Sequence, residues 1–354
     1  MIYFDNAASM KPRQEAIDVF TEVAANNFSN PAALHKGGIE AEKVITNARE
    51  TLLSSLPKGG NLLFTSGATE SNNLAGLNSV KPRKKTKIVT TTIEHPSVSN
   101  VVDKLCESSD LYSVVRVFPD EIVDAVCENT CFVSMISVCG ETGFIVDTKK
   151  IYGDIKRKFP DCIVHVDGVQ GFLKTNLDGD LISISSHKIG GLPGVGGLYI
   201  KNKTRLTPMF FGGGQQALSK ERISLRPGTE PTALIAAFAR AATAERCNSQ
   251  LLHDRLIAGL TSFRVNSYNN VFDIVNFSCG VKSEIMLHFL AENGIYVSSG
   301  SACARGKKSQ ILPAYKISDD DVDTAIRVSF GWHNTVEEVD KFLNVLEEGV
   351  KRWK

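Results

Sequence analysis

The run Leu181-Ile-Ser-Ile-Ser-Ser-His187-Lys188 carries an apolar, β-branched segment into two hydroxyls, an imidazole and an amine. Gly190, Gly191, Pro193, Gly194, Gly196 and Gly197 follow, and then a second apolar run, Leu198-Tyr-Ile200. Glycine tolerates positive φ and has no Cβ, so such a loop lets backbone come close to a bound group. A lysine at a strand end, beside hydroxyls and a histidine, suits an amine that forms an imine with a phosphorylated aldehyde cofactor. The same residues also read as a polar β-turn with a solvated lysine. A P-loop is excluded, because no Gly-Lys-Ser/Thr follows the glycines. A dinucleotide fingerprint is excluded too, because it opens a helix and this loop leads into a strand.

Further groups could share that chemistry. Phe64-Thr-Ser-Gly-Ala68-Thr69-Glu-Ser-Asn-Asn73 reads as a strand, a glycine turn and a helix start. Free N–H groups there, with Ser and Thr hydroxyls, bind phosphate; the simpler reading is a helix capped by Thr69. Ile163-Val-His-Val-Asp167-Gly-Val-Gln170 ends an apolar strand on an aspartate. That carboxylate either holds a protonated pyridine nitrogen or caps the next turn. His95, in Ile93-Glu-His95-Pro, could stack on a ring and move protons, or be structural. Val297-Ser-Ser-Gly-Ser-Ala-Cys303-Ala-Arg-Gly306 is a small-residue loop in which Arg305, Lys307 and Lys308 favour a thiolate at Cys303. Arg327 lies inside the apolar run Ala325-Ile-Arg-Val-Ser-Phe330, so it needs a carboxylate or phosphate, either a substrate's or an internal partner's.

The elements that position these groups follow from periodicity. Strand-like runs at Leu62 to Thr65, Lys87 to Thr91, Val114 to Phe118, Cys131 to Ser137, Ile163 to Val166 and Leu181 to Ile184 alternate with helical ones. That alternation predicts an α/β fold with a mainly parallel sheet and helices on both faces. Ligands then sit at the carboxyl ends of the strands, where the polar motifs fall. Thr232 to about Ser262 predicts one or two helices. Beyond them come a strand at Val271 to Phe277, a helix at Glu284 to Asn293, a strand at Ala325 to Phe330 and a helix at Val336 to Trp353. Thr335 and Glu338 offer that last helix a capping box.

Bulk properties narrow the function classes. The chain has 354 residues, 42% hydrophobic and 22% charged, enough for one large α/β domain and a smaller one. Forty basic residues against 39 acidic ones leave a net charge of +1, which favours neither nucleic acid nor an anionic membrane as partner. Eight cysteines without Cys-x-x-Cys spacing exclude a disulfide framework and a zinc ribbon, and predict free thiols in a reducing cytoplasm without a metal. Neither a secretory leader nor a membrane span is predicted.

Taken in order, the motifs resemble those of the cysteine desulfurases, pyridoxal-phosphate (PLP) enzymes of the class V aminotransferase group with fold type I. The matching residues are Tyr3-Phe-Asp-Asn-Ala-Ala, Asn30-Pro with His35, Thr65-Ser-Gly-Ala-Thr-Glu-Ser-Asn-Asn, Glu94-His, His165-Val-Asp with Gln170, Ser186-His-Lys188, Gly212-Gly-Gly, Arg226 with Gly228-Thr229, Ser298-Ser-Gly-Ser-Ala-Cys303 and Ile326-Arg-Val-Ser. They span essentially the whole chain, and the cysteine loop resembles the iron–sulfur-cluster and nitrogen-fixation branch.

The resemblance implies a large PLP-binding domain over 13–250 and a small domain from 1–12 and 251–354 that carries the cysteine loop. It implies that Lys188 carries the cofactor, that Ala68, Thr69, Ser185 and His187 hold its phosphate, and that Thr229 reaches across from a second subunit of a homodimer. Asp167 then pairs with the ring nitrogen, Gln170 with the ring hydroxyl, and His95 stacks on the ring. Arg327 holds the carboxylate of L-cysteine with help from the Asn30 loop. Cys303 takes the sulfur as a persulfide, leaves alanine, and passes the sulfur to an acceptor protein for iron–sulfur assembly or for tRNA or cofactor thiolation.

Selenocysteine lysis, another class V PLP reaction and a non-catalytic sulfur-relay scaffold are the alternatives. The chain departs from the family's Asn-Asn-Glu-Ile-Gly: it reads Cys139-Gly140-Glu141-Thr142-Gly143, with Val146 in place of a glutamine. Gly140 stands where the family's asparagine contacts the cofactor. Cys139 rivals Cys303 as the reactive thiol, while packing accounts for cysteines 106, 127, 131, 162, 247 and 279.

Overall fold

A computed structural model describes residues 1–79, 86–216, 224–245, 248–300 and 309–353. Its strands in chain order are β1 (Ile2–Tyr3), β2 (Gly60–Thr65), β3 (Thr86–Thr91), β4 (Tyr112–Val117), β5 (Thr130–Ile136), β6 (Ile163–Asp167), β7 (Leu181–Ser185), β8 (Gly196–Lys201), β9 (Arg264–Val265), β10 (Ile274–Ser278), β11 (Ile295–Tyr296) and β12 (Ala325–Ser329). The chain divides into two compact units. The larger comprises Pro12–Ser137 and Val146–Ala244; the smaller comprises Met1–Lys11, Val138–Ile145 and Glu245–Lys354.

The larger unit is built on a seven-stranded sheet in the order β2-β8-β7-β6-β5-β3-β4. Strands β7, β6, β5, β3 and β4 pair in parallel, while β8 is antiparallel to both β7 and β2. Two antiparallel steps restore direction, so β2 runs with β7. The ends of β2, β3, β5, β6 and β7 therefore share one sheet edge, the edge at which α/β sheets bind ligands. Nearly continuous burial along β5, β6 and β7 explains their unbroken apolar and β-branched composition. Leu63, Leu74, Leu181 and Leu198 form one core cluster, and Ile88, Val102, Leu105 and Phe132 another.

Glycine is required where β8 begins. Gly196 pairs with Thr65 at the end of β2 and with Ser185 at the end of β7. A Cβ on it would stand 2.7 Å from the Ile184 carbonyl oxygen and 2.8 Å from Gly67 Cα, both backbone atoms that have no rotamer by which to yield. Gly190, at φ +84, takes the left-handed turn just after Lys188.

In the smaller unit, β12, β10 and β9 form an antiparallel sheet, and β1 pairs in parallel with β11. Phe4 meets Phe330 and Phe342 edge-on, at 5.4 and 5.9 Å between ring centroids. The helix Val336–Trp353 buries Val339, Phe342, Leu346 and Gly349 along one stripe. Its capping box forms: Thr335 Oγ1 accepts from the Glu338 N–H and Glu338 Oε2 from the Thr335 N–H. Among the described residues no helix is long and apolar enough to cross a membrane, and no His/Cys/Asp/Glu group could hold a metal ion.

Local differences from the sequence prediction have local causes. Val271 belongs to a turn whose N–H bonds the Gly143 carbonyl, so the strand begins only at Ile274. The helical stretch expected between β4 and β5 is reduced to a 3₁₀ turn, Pro119–Glu121, and the short helix Ile122–Ala125. Thr232 to Ser262 holds two helices, Thr232–Ala242 and Ser249–Gly259.

Replacing Gly196 by Ala should destabilise the protein by about 1–3 kcal/mol through overpacking against backbone. Chemical denaturation measures this, and an unchanged midpoint would contradict the close approach.

Candidate active site

The end of β7 delivers the reactive cluster. Ser185 is its last, buried residue, and Ser186–Lys188 form a single 3₁₀ turn. The Ile189 and Gly191 N–H groups both return to the Ser186 carbonyl, which holds the turn tight. Ser186 Oγ is buried and without a hydrogen-bond partner among the described residues. Lys188 and His187 are half-buried. Burial first, then the Lys188 charge, pushes His187 down to about 4, so this imidazole is neutral at physiological pH.

The neighbouring strand end supplies the anion. Asp167 closes β6 and is 3% exposed. A carboxylate at such depth needs donors. Asp167 Oδ1 accepts from the Val169 N–H at 3.1 Å, and Oδ2 accepts from Asn72 Nδ2 at 3.0 Å. The same Asn72 amide donates to Ser97 Oγ at 2.8 Å, and that hydroxyl lies 2.8 Å from His95 Nδ1. The Ser97 N–H also points at Nδ1, at 3.1 Å, which makes Nδ1 the acceptor and leaves the ring proton on Nε2. His95 is the N-cap of the helix Pro96–Ser108, and Pro96 suits the first position, where an N–H would lack a partner in any case. Burial lowers the His95 pKa, while the Asp167 charge raises it and the Lys188 charge lowers it. Two of the predicted groups, Asp167 and Lys188, thus act electrostatically on a third, His95.

At the end of β2, the chain turns through Ser66 and Gly67 into the helix Ala68–Ser79. Helix geometry leaves the first N–H groups of that helix without intrahelical acceptors. Ala68 is half-buried and Thr69 exposed. Glu70 folds back to accept from the Ser66 N–H at 2.7 Å, and its other oxygen takes Arg226 Nε at 3.2 Å. Gln170 is buried in the turn after β6. Thr229 is exposed, as is Asn30, whose Oδ1 closes a turn on the Ala32 N–H.

The smaller unit holds Arg327, 2% exposed on β12. Its Nη2 donates to Asp5 at 2.6 Å and its Nη1 to the Gly140 carbonyl at 2.9 Å, while Nε is buried with no partner among the described residues. Cys303, Arg305, Lys307 and Lys308, like Cys247, lie outside the described residues. Cys139 is fully buried, and burial pushes its thiol pKa up. Burial also pushes the Cys131 and Cys162 thiols up to about 12. None of these three has the properties of a nucleophile. Cys127 is exposed, so packing does not account for it.

Three contributors escaped the sequence reading. Asn72 and Ser97 sit inside quoted or adjoining motifs, yet their bonds depend on two strand ends meeting. Glu94 is 6% exposed; its Oε1 accepts from Thr91 Oγ1 at 2.7 Å and its Oε2 has no partner among the described residues. Burial, partly opposed by the Thr91 bond and reinforced by Asp167, pushes its carboxyl up to about 8.

The donor set fits a phosphorylated pyridine aldehyde: an amine for the aldehyde, a buried anion for the ring nitrogen, a neutral imidazole beside them, and a helix N-terminus for phosphate on the same sheet edge. Comparison with known proteins agrees. The aminotransferase class-V family profile matches residues 2–342. A NifS/IcsS protein homolog of Lactobacillus delbrueckii subsp. bulgaricus is 33% identical, over 98% of this chain and 97% of that one. The cysteine desulfurase IscS of Methanosarcina thermophila is 31% identical, over 99% of this chain and 92% of its own. A solved structure of SspA in complex with cysteine superposes with a TM-score of 0.81 at 27% identity, covering 95% of this chain and all of that one. The chain belongs to the class-V aminotransferase family, in its cysteine desulfurase group, whose members in general use PLP.

Glu94 carries a pH signature. Its folded pKa lies above the ordinary value of 4.5, so the native state holds a proton that the unfolded chain releases between about pH 4.5 and 8. Stability from this group is therefore present at low pH and falls as pH rises through that window. Glu94→Gln should flatten the pH dependence of unfolding there by up to about 1.4 kcal/mol per pH unit. Identical slopes in parent and variant would refute the assignment. Asn72→Ala, which strips a donor from buried Asp167, should cost about 1–3 kcal/mol by the same denaturation assay.

Proposed function

We propose that the protein is a PLP-dependent cysteine desulfurase that converts L-cysteine to L-alanine and hands the sulfur on from a persulfide at Cys303. The observation that carries this reading is the hydrogen-bonded chain from Asp167 through Asn72 and Ser97 to His95, at the sheet edge where the adjoining strand β7 delivers Lys188. Bound there, PLP supplies an aldehyde for the amino group and a ring that accepts electron density from the substrate.

The protein groups divide the remaining tasks. The Lys188 amine holds the cofactor and accepts or returns a proton at Nζ. Asp167, held by hydrogen bonds from Asn72 and Val169, would stabilise positive charge on the ring nitrogen from a water-poor site, where attraction is strong. His95, whose Nδ1 accepts from the Ser97 N–H and whose ring proton is therefore on Nε2, stays neutral and adds no second cation beside Lys188. Gln170 serves the ring hydroxyl; the first turn of Ala68–Ser79, with Ser185 and His187, serves the phosphate. Arg327 serves the substrate carboxylate, aided by Asn30, and its buried Nε is available for that purpose. Cys303 as thiolate attacks the substrate sulfur: an S–S bond forms, the C–S bond breaks, and the carbon takes a proton to give alanine. A thiol reductant or an acceptor cysteine then removes the outer sulfur.

We also infer a homodimer. Thr229 is exposed in its own chain, and exposed Phe210 and Phe211 offer apolar surface for a second copy. A reducing, cytoplasmic setting suits the free cysteines.

The test is release of alanine and sulfide from cysteine in the presence of a thiol reductant. Lys188→Ala should lose the visible absorbance that borohydride bleaches in the parent, together with all turnover. Cys303→Ser should keep that absorbance and lose sulfide release by a factor of about 100 or more. A Cys303→Ser protein that turns over at the parental rate would overturn the reading.

A further inference from the structure

We propose that Asp5 is a specificity-determining residue: as the resident counter-ion of Arg327, it sets how tightly that guanidinium takes up the substrate carboxylate. The inference rests on the reading of Arg327 as the group that receives this carboxylate. A guanidinium has five N–H donors and no acceptor, and it stays charged. Arg327 is 2% exposed, so its charge must be met inside the protein. Among the described residues one carboxylate does so: Asp5 Oδ1 accepts from Nη2 at 2.6 Å, a short, charge-assisted bond. Nη1 goes to the Gly140 carbonyl at 2.9 Å, which is neutral. The Nε–H is buried and has no partner among the described residues. A donor shut away from water without an acceptor is costly, so this is where an incoming carboxylate gains most.

Both members of the pair are held by backbone. Arg327 and Ser329 lie two apart on β12 and so share a face. The N-terminal segment is fastened to Ser329. The Ser329 N–H donates to the Phe4 carbonyl at 2.7 Å, the Ala7 N–H to Ser329 Oγ at 2.8 Å, and Asn6 Nδ2 to the Ser329 carbonyl at 3.0 Å. Asp5 stands between Phe4 and Asn6, so these bonds keep its short side chain beside the guanidinium. On β12 itself, the Arg327 N–H donates to the Ser298 carbonyl at 2.6 Å, and the Ser298 N–H donates to the Arg327 carbonyl at 3.2 Å. A substrate carboxylate at Nε therefore shares one cation with Asp5. Two like charges so placed disfavour each other. Asp5 thus weakens uptake of the substrate, while sparing Arg327 an unpaired buried charge when no substrate is bound. The same restraint applies to alanine, which carries the same carboxylate and has to leave.

The experiment uses cofactor-loaded protein and the variants Asp5→Asn, Asp5→Glu and Asp5→Ala, with Arg327→Lys to test the underlying reading. Asp5→Asn keeps an oxygen for Nη2 and removes the charge. Its KM for cysteine and its inhibition constant for alanine should both fall roughly tenfold. Alaninamide, which lacks the carboxylate, should show no such gain as an inhibitor. Asp5→Glu restores the charge and should return both constants toward the parental values. A second readout uses the protein without cofactor. Asp5→Ala leaves the guanidinium unpaired beside room for a small carboxylate. Sodium formate should therefore raise its unfolding midpoint above that in equal sodium chloride, while the parent responds alike to both salts. Parental KM and alanine inhibition in Asp5→Asn would overturn the proposal, as would an equal gain for alaninamide or an Asp5→Ala protein indifferent to formate. If Asp5→Asn does not fold, the formate response of Asp5→Ala, read as recovery of folded protein, decides. An Arg327→Lys protein with the parental KM would instead defeat the role of Arg327 in binding substrate, and the formate comparison would still judge the pair.

Discussion

A carboxylate buried at a strand end is the constraint on which the larger unit depends. Asp167 is almost out of water, and its charge is sustained by two donors: an amide N–H two residues on and the side chain of Asn72 from a helix that follows a different strand. Holding it there requires β6 to end beside the helix Ala68–Ser79, which requires β2 to run in the same direction as β7. The intervening antiparallel β8 secures that direction, and its first residue, Gly196, is small enough to lie between both strand ends. Through Asn72 and Ser97 the same carboxylate reaches His95, so anion, imidazole and helix cap form one hydrogen-bonded chain.

The smaller unit answers a comparable problem with a cation. Arg327 sits in the middle of an apolar strand, and burial is tolerated because Asp5 and the Gly140 carbonyl engage two of its nitrogens. A truncation at Asp5 would leave the guanidinium short of its counter-charge, whereas the paired arrangement holds the remaining Nε in a defined direction. The segment Val138–Ile145 serves the same unit: it brings the Gly140 carbonyl to Arg327 and the Glu141 carboxylate to Ser309.

Much of the fold is legible in the sequence because it rests on local rules. Period-two and apolar runs mark the strands, and the Thr335/Glu338 box marks the start of the final helix, where both of its bonds form. The motif residues Lys188, Asp167 and His95 are legible for a related reason: each stands at a strand end, where parallel α/β sheets place their chemistry. Non-local features were not legible. Nothing in Gly196–Lys201 announces an antiparallel strand inserted between β7 and β2. Val271 carries the apolar character of a strand yet is claimed by a turn on Gly143. Glu94 reads as an ordinary surface glutamate until the fold shuts water away from it, and Asn72 finds Asp167 only because two distant strands end side by side. Cys127, assigned to packing from the sequence, is exposed and lies beyond the end of the short helix Ile122–Ala125.

The central claim is that sulfur passes through Cys303 while the buried thiols stay inert. It is tested most directly by alkylating the protein during turnover with cysteine and mapping modified peptides by mass spectrometry. The account predicts an alkylated persulfide on Cys303 that is lost when Lys188 is replaced, with no persulfide on Cys139. A persulfide on Cys139, and none on Cys303, would contradict it.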